Sequence, residues 1–168
     1  MRWPPVILVA EDNDDEFVLL RCAFESAGLP HRLIGVVNGA EALAYLYADD
    51  VYSNRAAYPF PDLMLLDQRM PVMDGFQVLA ALNGRIEFQS LPIIVLSSMN
   101  DPKATRMALR LGAKDCILKP LTISERIDMV RSLCSRWLAG RDRPPSQPTN
   151  FNSWGYRASD QDQKKPAE

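Results

Sequence analysis

The chain has 168 residues, 19 basic side chains against 21 acidic ones, and a formal net charge of −2. Its longest apolar run, Ala42–Ala48, is far short of the roughly 18 residues that a membrane-spanning helix needs, and near-neutral charge argues against a dedicated DNA binder. Cys22, Cys116 and Cys134 lack any CxxC spacing and read as reduced thiols of a cytoplasmic protein, while a single histidine, His31, excludes two-histidine zinc signatures.

Five short apolar runs alternate with amphipathic stretches. The runs Val6–Val9, Leu33–Val37, Leu63–Leu66, Ile93–Leu96 and Cys116–Leu118 read as strands. Their continuous apolar character suits strands covered on both faces, as in a parallel sheet. A helix follows each. Asn13 or Asp14 can cap the first, which stops at Gly28 with Pro30 beyond. Asn38 can cap the second, with Glu41 placed for a capping box. The long connection Ala48–Pro61 carries Tyr52, Tyr58 and Phe60, enough to pack on the domain.

Asp101-Pro102 opens the fourth helix, whose stripe Ala104, Met107, Ala108, Leu111 ends at Gly112. Thr122 and Glu125 form a capping box for the fifth, which shows Ile127, Val130, Cys134 and Trp137 on one face. Five successive βα units imply an α/β fold with a doubly wound parallel sheet flanked by five helices. The folded unit is expected over residues 5–140. Residues 141–168, rich in proline and without periodicity, read as a disordered tail, with a docking motif of Phe151, Trp154 and Tyr156, or their folding back on the domain, as the alternatives.

The chemistry collects at the carboxyl ends of the strands. The first run leads into Glu11 and Asp12, the third into Asp67, the fourth into Ser97 and the fifth into Lys119. In open α/β sheets those ends line the ligand crevice. Crowded carboxylates repel one another unless a cation joins them. Mg²⁺, or Mn²⁺, is a hard ion that takes such oxygens and a phosphate together. A carboxylate so placed can act as a nucleophile on phosphorus. Lys119 then supplies a point charge to the phosphoryl oxygens and Ser97 a hydroxyl donor. The constellation fits an aspartyl-phosphate site with Asp67 as acceptor.

The segments VAEDNDDE, LMLLDQRMPVMDGFQVL, PIIVLSS and LGAKDCILKP resemble, in that order, the receiver domain of bacterial two-component response regulators. The resemblance implies a flavodoxin-like fold with strand order 2-1-3-4-5. It implies Asp67 as the phosphoacceptor, Asp12 and the backbone carbonyl of Arg69 as direct metal ligands, and Glu11 reaching the metal through water. Ser97 matches the switch hydroxyl and Lys119 the characteristic lysine, with a cis Lys119–Pro120 bond. A sensor histidine kinase or a phosphotransfer protein is the implied phosphoryl donor. Pairing of two copies through the fourth and fifth helices is a common receiver arrangement. The segment GLPHRLIGVVNGAEALAYL, the long connection and the lack of an output domain are similar to regulators that partner phytochrome-type kinases. Such a protein catalyses its own phosphorylation and slow hydrolysis without being a conventional turnover enzyme.

Cys116 departs from the pattern, because an aromatic ring that swings with the hydroxyl is usual there. A thiol cannot do this, so movement of the Ser97–Asp101 loop is the expected switch. The bland readings differ: Met107 and Met129 as core filler, Cys22 and Cys134 as inert packing, and His31 as an exposed loop residue. A phosphorylation-independent interaction module on the same fold is the alternative function. A haloacid-type phosphatase would need a second acid where Arg69 stands, and a flavodoxin would not present EDNDDE to a phosphate.

Overall fold

Each apolar run forms a strand, and period-two alternation divides its side chains between two cores. The computed structural model describes residues 4–139 and 156–157. Strands β1 (Val6–Ala10), β2 (Arg32–Val36), β3 (Leu63–Asp67), β4 (Ile93–Ser97) and β5 (Asp115–Leu118) alternate with helices α1 (Asp14–Ser26), α2 (Gly39–Tyr47), α3 (Gly75–Leu82), α4 (Pro102–Arg110) and α5 (Ile123–Trp137). The five strands pair in parallel in the order 2-1-3-4-5. Ile7, Val9, Leu63, Leu65, Ile94 and Leu96 face α1 and α5. Their neighbours Leu8, Ala10, Met64, Leu66 and Val95 join the core on the face of α2 and α3. Each fully buried leucine or isoleucine contributes about 1.5–3 kcal/mol over leaving it exposed.

The sheet extends one element further than five strands. β6 (Tyr156–Arg157) pairs in parallel with the outer edge of β2, opposite Ile34 and Gly35. An edge strand offers unpaired N–H and C=O groups to any segment that reaches it. Phe151 and Trp154 lie outside the described residues.

Local signals start the helices. Asn13 accepts from the amides of Asp15 and Glu16 at 2.9 and 3.2 Å. Asp101 caps α4, with Pro102 at its start. At α2 only half of the expected capping box forms. Asn38 accepts from the Glu41 amide at 2.9 Å, but the Glu41 carboxylate takes the Val37 amide rather than that of Asn38. The boxes at α3 (Asp74 with Gln77) and α5 (Thr122 with Glu125) are complete. The Thr122 amide and hydroxyl hold the exposed Glu125 carboxyl below its ordinary value of 4.5. A lowered folded-state pKa means the cap contributes above the unfolded value and is lost as pH falls through the folded one. Carbon-detected NMR titration is expected to find Glu125 titrating low in the wild type and higher in Thr122→Ala, which loses the hydroxyl and keeps the amide.

The connection after α2 packs on the domain. Tyr52 and Tyr58 are buried against Tyr45, with ring centroids 5.1–6.1 Å apart. The Tyr45 hydroxyl donates to the Pro59 carbonyl at 2.6 Å. Arg55 donates to the carbonyls of Tyr45, Leu46 and Tyr58, so it serves the last turn of α2, which lacks a basic residue of its own.

Three further expectations need correction. His31 is 8% exposed, not a surface residue: its ring packs 5.1 Å from Phe24, and Nδ1 lies 2.7 Å from the Leu29 carbonyl oxygen. Met107 is 50% exposed, whereas Met129 is buried. α4 covers the sheet edge at β5, which leaves only Ala108 of its stripe fully buried. Among the described residues no peptide bond is cis, so Lys119–Pro120 is trans, the isomer that X–Pro bonds favour by about 0.5–1 kcal/mol. No helix among the described residues is long and apolar enough to cross a membrane.

Candidate functional site

Asp67 and Ser97 stand at the last rung of the sheet, Glu11 and Lys119 one step beyond it, and Asp12 one step further. The ladder continues far enough to hold Glu11 and Lys119. The Glu11 amide donates to the Val36 carbonyl at 3.0 Å, extending the β1–β2 pairing. Gln68 donates in the same way to Leu96 at 3.0 Å, and Lys119 to Ser97 at 2.7 Å. Asp67 and Ser97 are the final residues of β3 and β4. Backbone pairing therefore brings Glu11, Asp67, Ser97 and Lys119 to one end of the sheet, and the side chains of Glu11, Asp67 and Lys119 meet in one crevice.

Within it, Lys119 Nζ lies 2.6 Å from Glu11 Oε2 and 3.2 Å from Asp67 Oδ1. The other Glu11 oxygen accepts from the Asn13 amide at 3.1 Å. Glu11 and Asp67 are buried, at 4% and 6% exposure, while Asp12 faces solvent. Carboxylate oxygens of Glu11, Asp12 and Asp67 all fall within 4.8 Å of one another. Burial raises the Glu11 carboxyl above its ordinary value, and the hydrogen bond and charge of Lys119 pull only part of the way back. Asp67 is raised for the same reason, with Lys119 and the Arg69 amide opposing. Burial alone would lower Lys119, but the hydrogen bond and charge of Glu11, with Asp67 behind it, leave the ammonium above its ordinary value.

Three carboxylates against one ammonium leave negative charge in excess, and the donors are all hard oxygens. Such a set fits a divalent cation of the Mg²⁺ or Mn²⁺ kind, with Asp12 open to its waters. Arg69 touches the site through its backbone amide, and its side chain is exposed.

Ser97 and Cys116 are placed differently. The Ser97 hydroxyl lies 2.7 Å from Gln68 Oε1 and 2.8 Å from the Met99 carbonyl oxygen, and it accepts from the Met99 amide at 3.2 Å. Neither partner belongs to the acid cluster. Cys116 is half-buried, with the Thr105 hydroxyl 3.8 Å from its sulfur. Burial pushes this thiol up, away from reactivity.

The sequence gives no warning of Gln68, whose role depends on a side chain 29 positions away. Gly75 is better signalled, because it follows the cap Asp74. Its amide donates to the Gln68 carbonyl at 3.1 Å, and a Cβ there would lie 2.5 Å from the Asp67 carbonyl oxygen. The ion pair of Arg126 with Glu16 at 3.0 Å, which ties α5 to α1 behind the site, is equally silent in the sequence.

The model of the response regulator receiver domain matches residues 7–131. The chain belongs to this family. The receiver is similar to the phosphorylated cyanobacterial phytochrome response regulator RcpA, with 29% identity and a TM-score of 0.74 over 84% of this chain and 99% of that one. The response regulator RPA3017, in red light signaling of R. palustris, shares 30% identity with a TM-score of 0.77 over the same shares. The Mn²⁺-bound form of Rcp1, from Synechocystis, shares 27% at a TM-score of 0.72, over 84% of the receiver and 100% of that chain.

Proposed function

We propose that this receiver takes a phosphoryl group from the phosphohistidine of a sensor histidine kinase, or of a phosphotransfer protein, onto Asp67. The modified form then binds its partner with altered affinity. The observation that carries this reading is the convergence of Glu11, Asp12 and Asp67 around Lys119 Nζ. An oxygen of Asp67 forms the new bond to phosphorus while the bond from phosphorus to the imidazole nitrogen breaks, its electron pair leaving with the imidazole. Lys119 keeps a positive charge at the carboxylate and offers a donor to the phosphoryl oxygens. Glu11 holds that lysine in place.

Glu11, Asp12 and Asp67, with the backbone carbonyl of Arg69, are the residues that would hold Mg²⁺ or Mn²⁺. The bound ion would neutralise charge on the transferring group. The similarity to a regulator solved with Mn²⁺ supports this.

On phosphorylation the Ser97 hydroxyl moves to a phosphoryl oxygen and draws the loop to Asp101 with it. Cys116 has no ring to swing, so the loop carries the signal. Two copies would pair through α4 and α5, where Met107 and Leu109 on α4 and Ile123 on α5 are exposed, as are Leu118 and Leu121 between the two helices. Likeness to RcpA and RPA3017, spanned almost end to end, supports a cytoplasmic regulator of a phytochrome-type kinase.

The test is incubation with acetyl phosphate and Mg²⁺, read by intact mass. One base-labile phosphoryl group is expected in the wild type, and none in Asp67→Asn or after chelation. A folded wild type that gains nothing would point instead to a phosphorylation-independent interaction module.

A further inference from the structure

Ser97 Oγ has one proton and two acceptors within reach, the amide oxygen of Gln68 at 2.7 Å and the carbonyl oxygen of Met99 at 2.8 Å. Its lone pairs are used as well, since the Met99 amide donates to it at 3.2 Å. Ser97 is only 4% exposed, so water cannot cheaply replace these partners.

Gln68 is anchored through its backbone. Its amide is tied to the Leu96 carbonyl at 3.0 Å and its own carbonyl accepts from Gly75 at 3.1 Å. Gly75 is packed so closely that an added Cβ would meet Gln68 Cα at 3.1 Å. The backbone is held from both sides, so the side chain reaches Ser97 from a fixed base.

We infer that Gln68 is a positioning residue that latches the Ser97 hydroxyl away from Asp67 and sets the cost of recruiting it to a phosphoryl group. A neutral amide oxygen is a weaker acceptor than an anionic phosphoryl oxygen. Before modification the hydroxyl rests on Gln68 and Met99, while Asp67 spends its charge on Lys119; a phosphoryl group on Asp67 adds anionic oxygens that compete with the amide oxygen for that proton. The inference rests on Asp67 as phosphoacceptor for its second half only, because the latch itself exists without phosphate.

Gln68→Met keeps the length of the side chain and removes the amide. Two measurements separate the latch from the phosphoacceptor reading. Without phosphate, hydrogen exchange of the Met99 amide is expected to be several-fold faster in Gln68→Met. Equal exchange overturns the latch, whatever happens at Asp67.

With Mg²⁺ and beryllofluoride, an acyl-phosphate mimic, half-saturation is expected at a concentration about three- to tenfold lower in Gln68→Met, the range that one net hydrogen bond supplies. The same substitution in a Ser97→Ala background is expected to change it less than about twofold. An equal shift in both backgrounds would mean that Gln68 acts through bulk structure and not through Ser97. Wild-type protein that binds no beryllofluoride would remove the phosphoacceptor reading and leave the latch to be judged on exchange.

Discussion

Lys119→Met is expected to slow phosphoryl uptake from acetyl phosphate by about a hundred- to thousandfold, the scale of removing one group that stabilises transition-state charge. The same variant is expected to bind Mg²⁺ at least tenfold more tightly. The ammonium sits 2.6 Å from Glu11 and 3.2 Å from Asp67, and so it occupies the charge that a divalent ion would use. Two unit charges 4 Å apart interact by about 4 kcal/mol at an effective dielectric of 20. Solvent at the exposed Asp12 reduces that, yet one unit of 1.4 kcal/mol already gives tenfold. Calorimetric titration with Mg²⁺ reads the affinity, and an intact-mass time course reads the rate. Lower affinity in the variant would mean that the lysine organises the acids for the metal instead of competing with it.

Gly75→Ala is the second large effect. The new Cβ would stand 2.5 Å from the Asp67 carbonyl oxygen, a backbone atom that cannot rotate away. Either α3 or the end of β3 must shift, at a cost of about 1–3 kcal/mol in urea unfolding. A displacement near 1 Å at the acceptor is expected to lower phosphoryl uptake by about a hundredfold. Gly28→Ala is the matched control: its φ is +67° and its Cβ would meet nothing within 4 Å. It carries backbone strain far from Asp67, so it should lose some stability and no uptake. Loss of uptake in both variants would assign the effect to general instability.

The strands and the strand ends were legible because both follow from chain-local chemistry. Val6–Val9 and Ile93–Leu96 are apolar on both faces, and polar residues begin where the sheet stops. Asp67 is correctly located by that rule, as are Glu11, Ser97 and Lys119. Caps at Asn13, Asp101 and Thr122 were legible for the same reason, since donor and acceptor lie within three residues.

What escaped depends on distant partners. His31 looks like a turn residue until Phe24 is seen against it. Met107 fits an apolar stripe by spacing, but spacing does not reveal that β5 is an edge strand. Arg55 carries no signal in the sequence, because its three carbonyl partners appear only when the connection folds back. Ser97 could be located but not its resting partners, because Gln68 and Met99 act through geometry that no motif encodes.

β4 also binds two parts of the site together. Its Leu96 carbonyl holds Gln68, and its Ser97 carbonyl holds Lys119. Displacing the end of this strand therefore moves the latch and the lysine at once. Under the function proposed above, a partner that captures the Ser97–Asp101 loop would alter the free energy of a phosphoryl group on Asp67, and that group would alter partner affinity by the same factor. Output and input are then one equilibrium seen from opposite sides of a single strand.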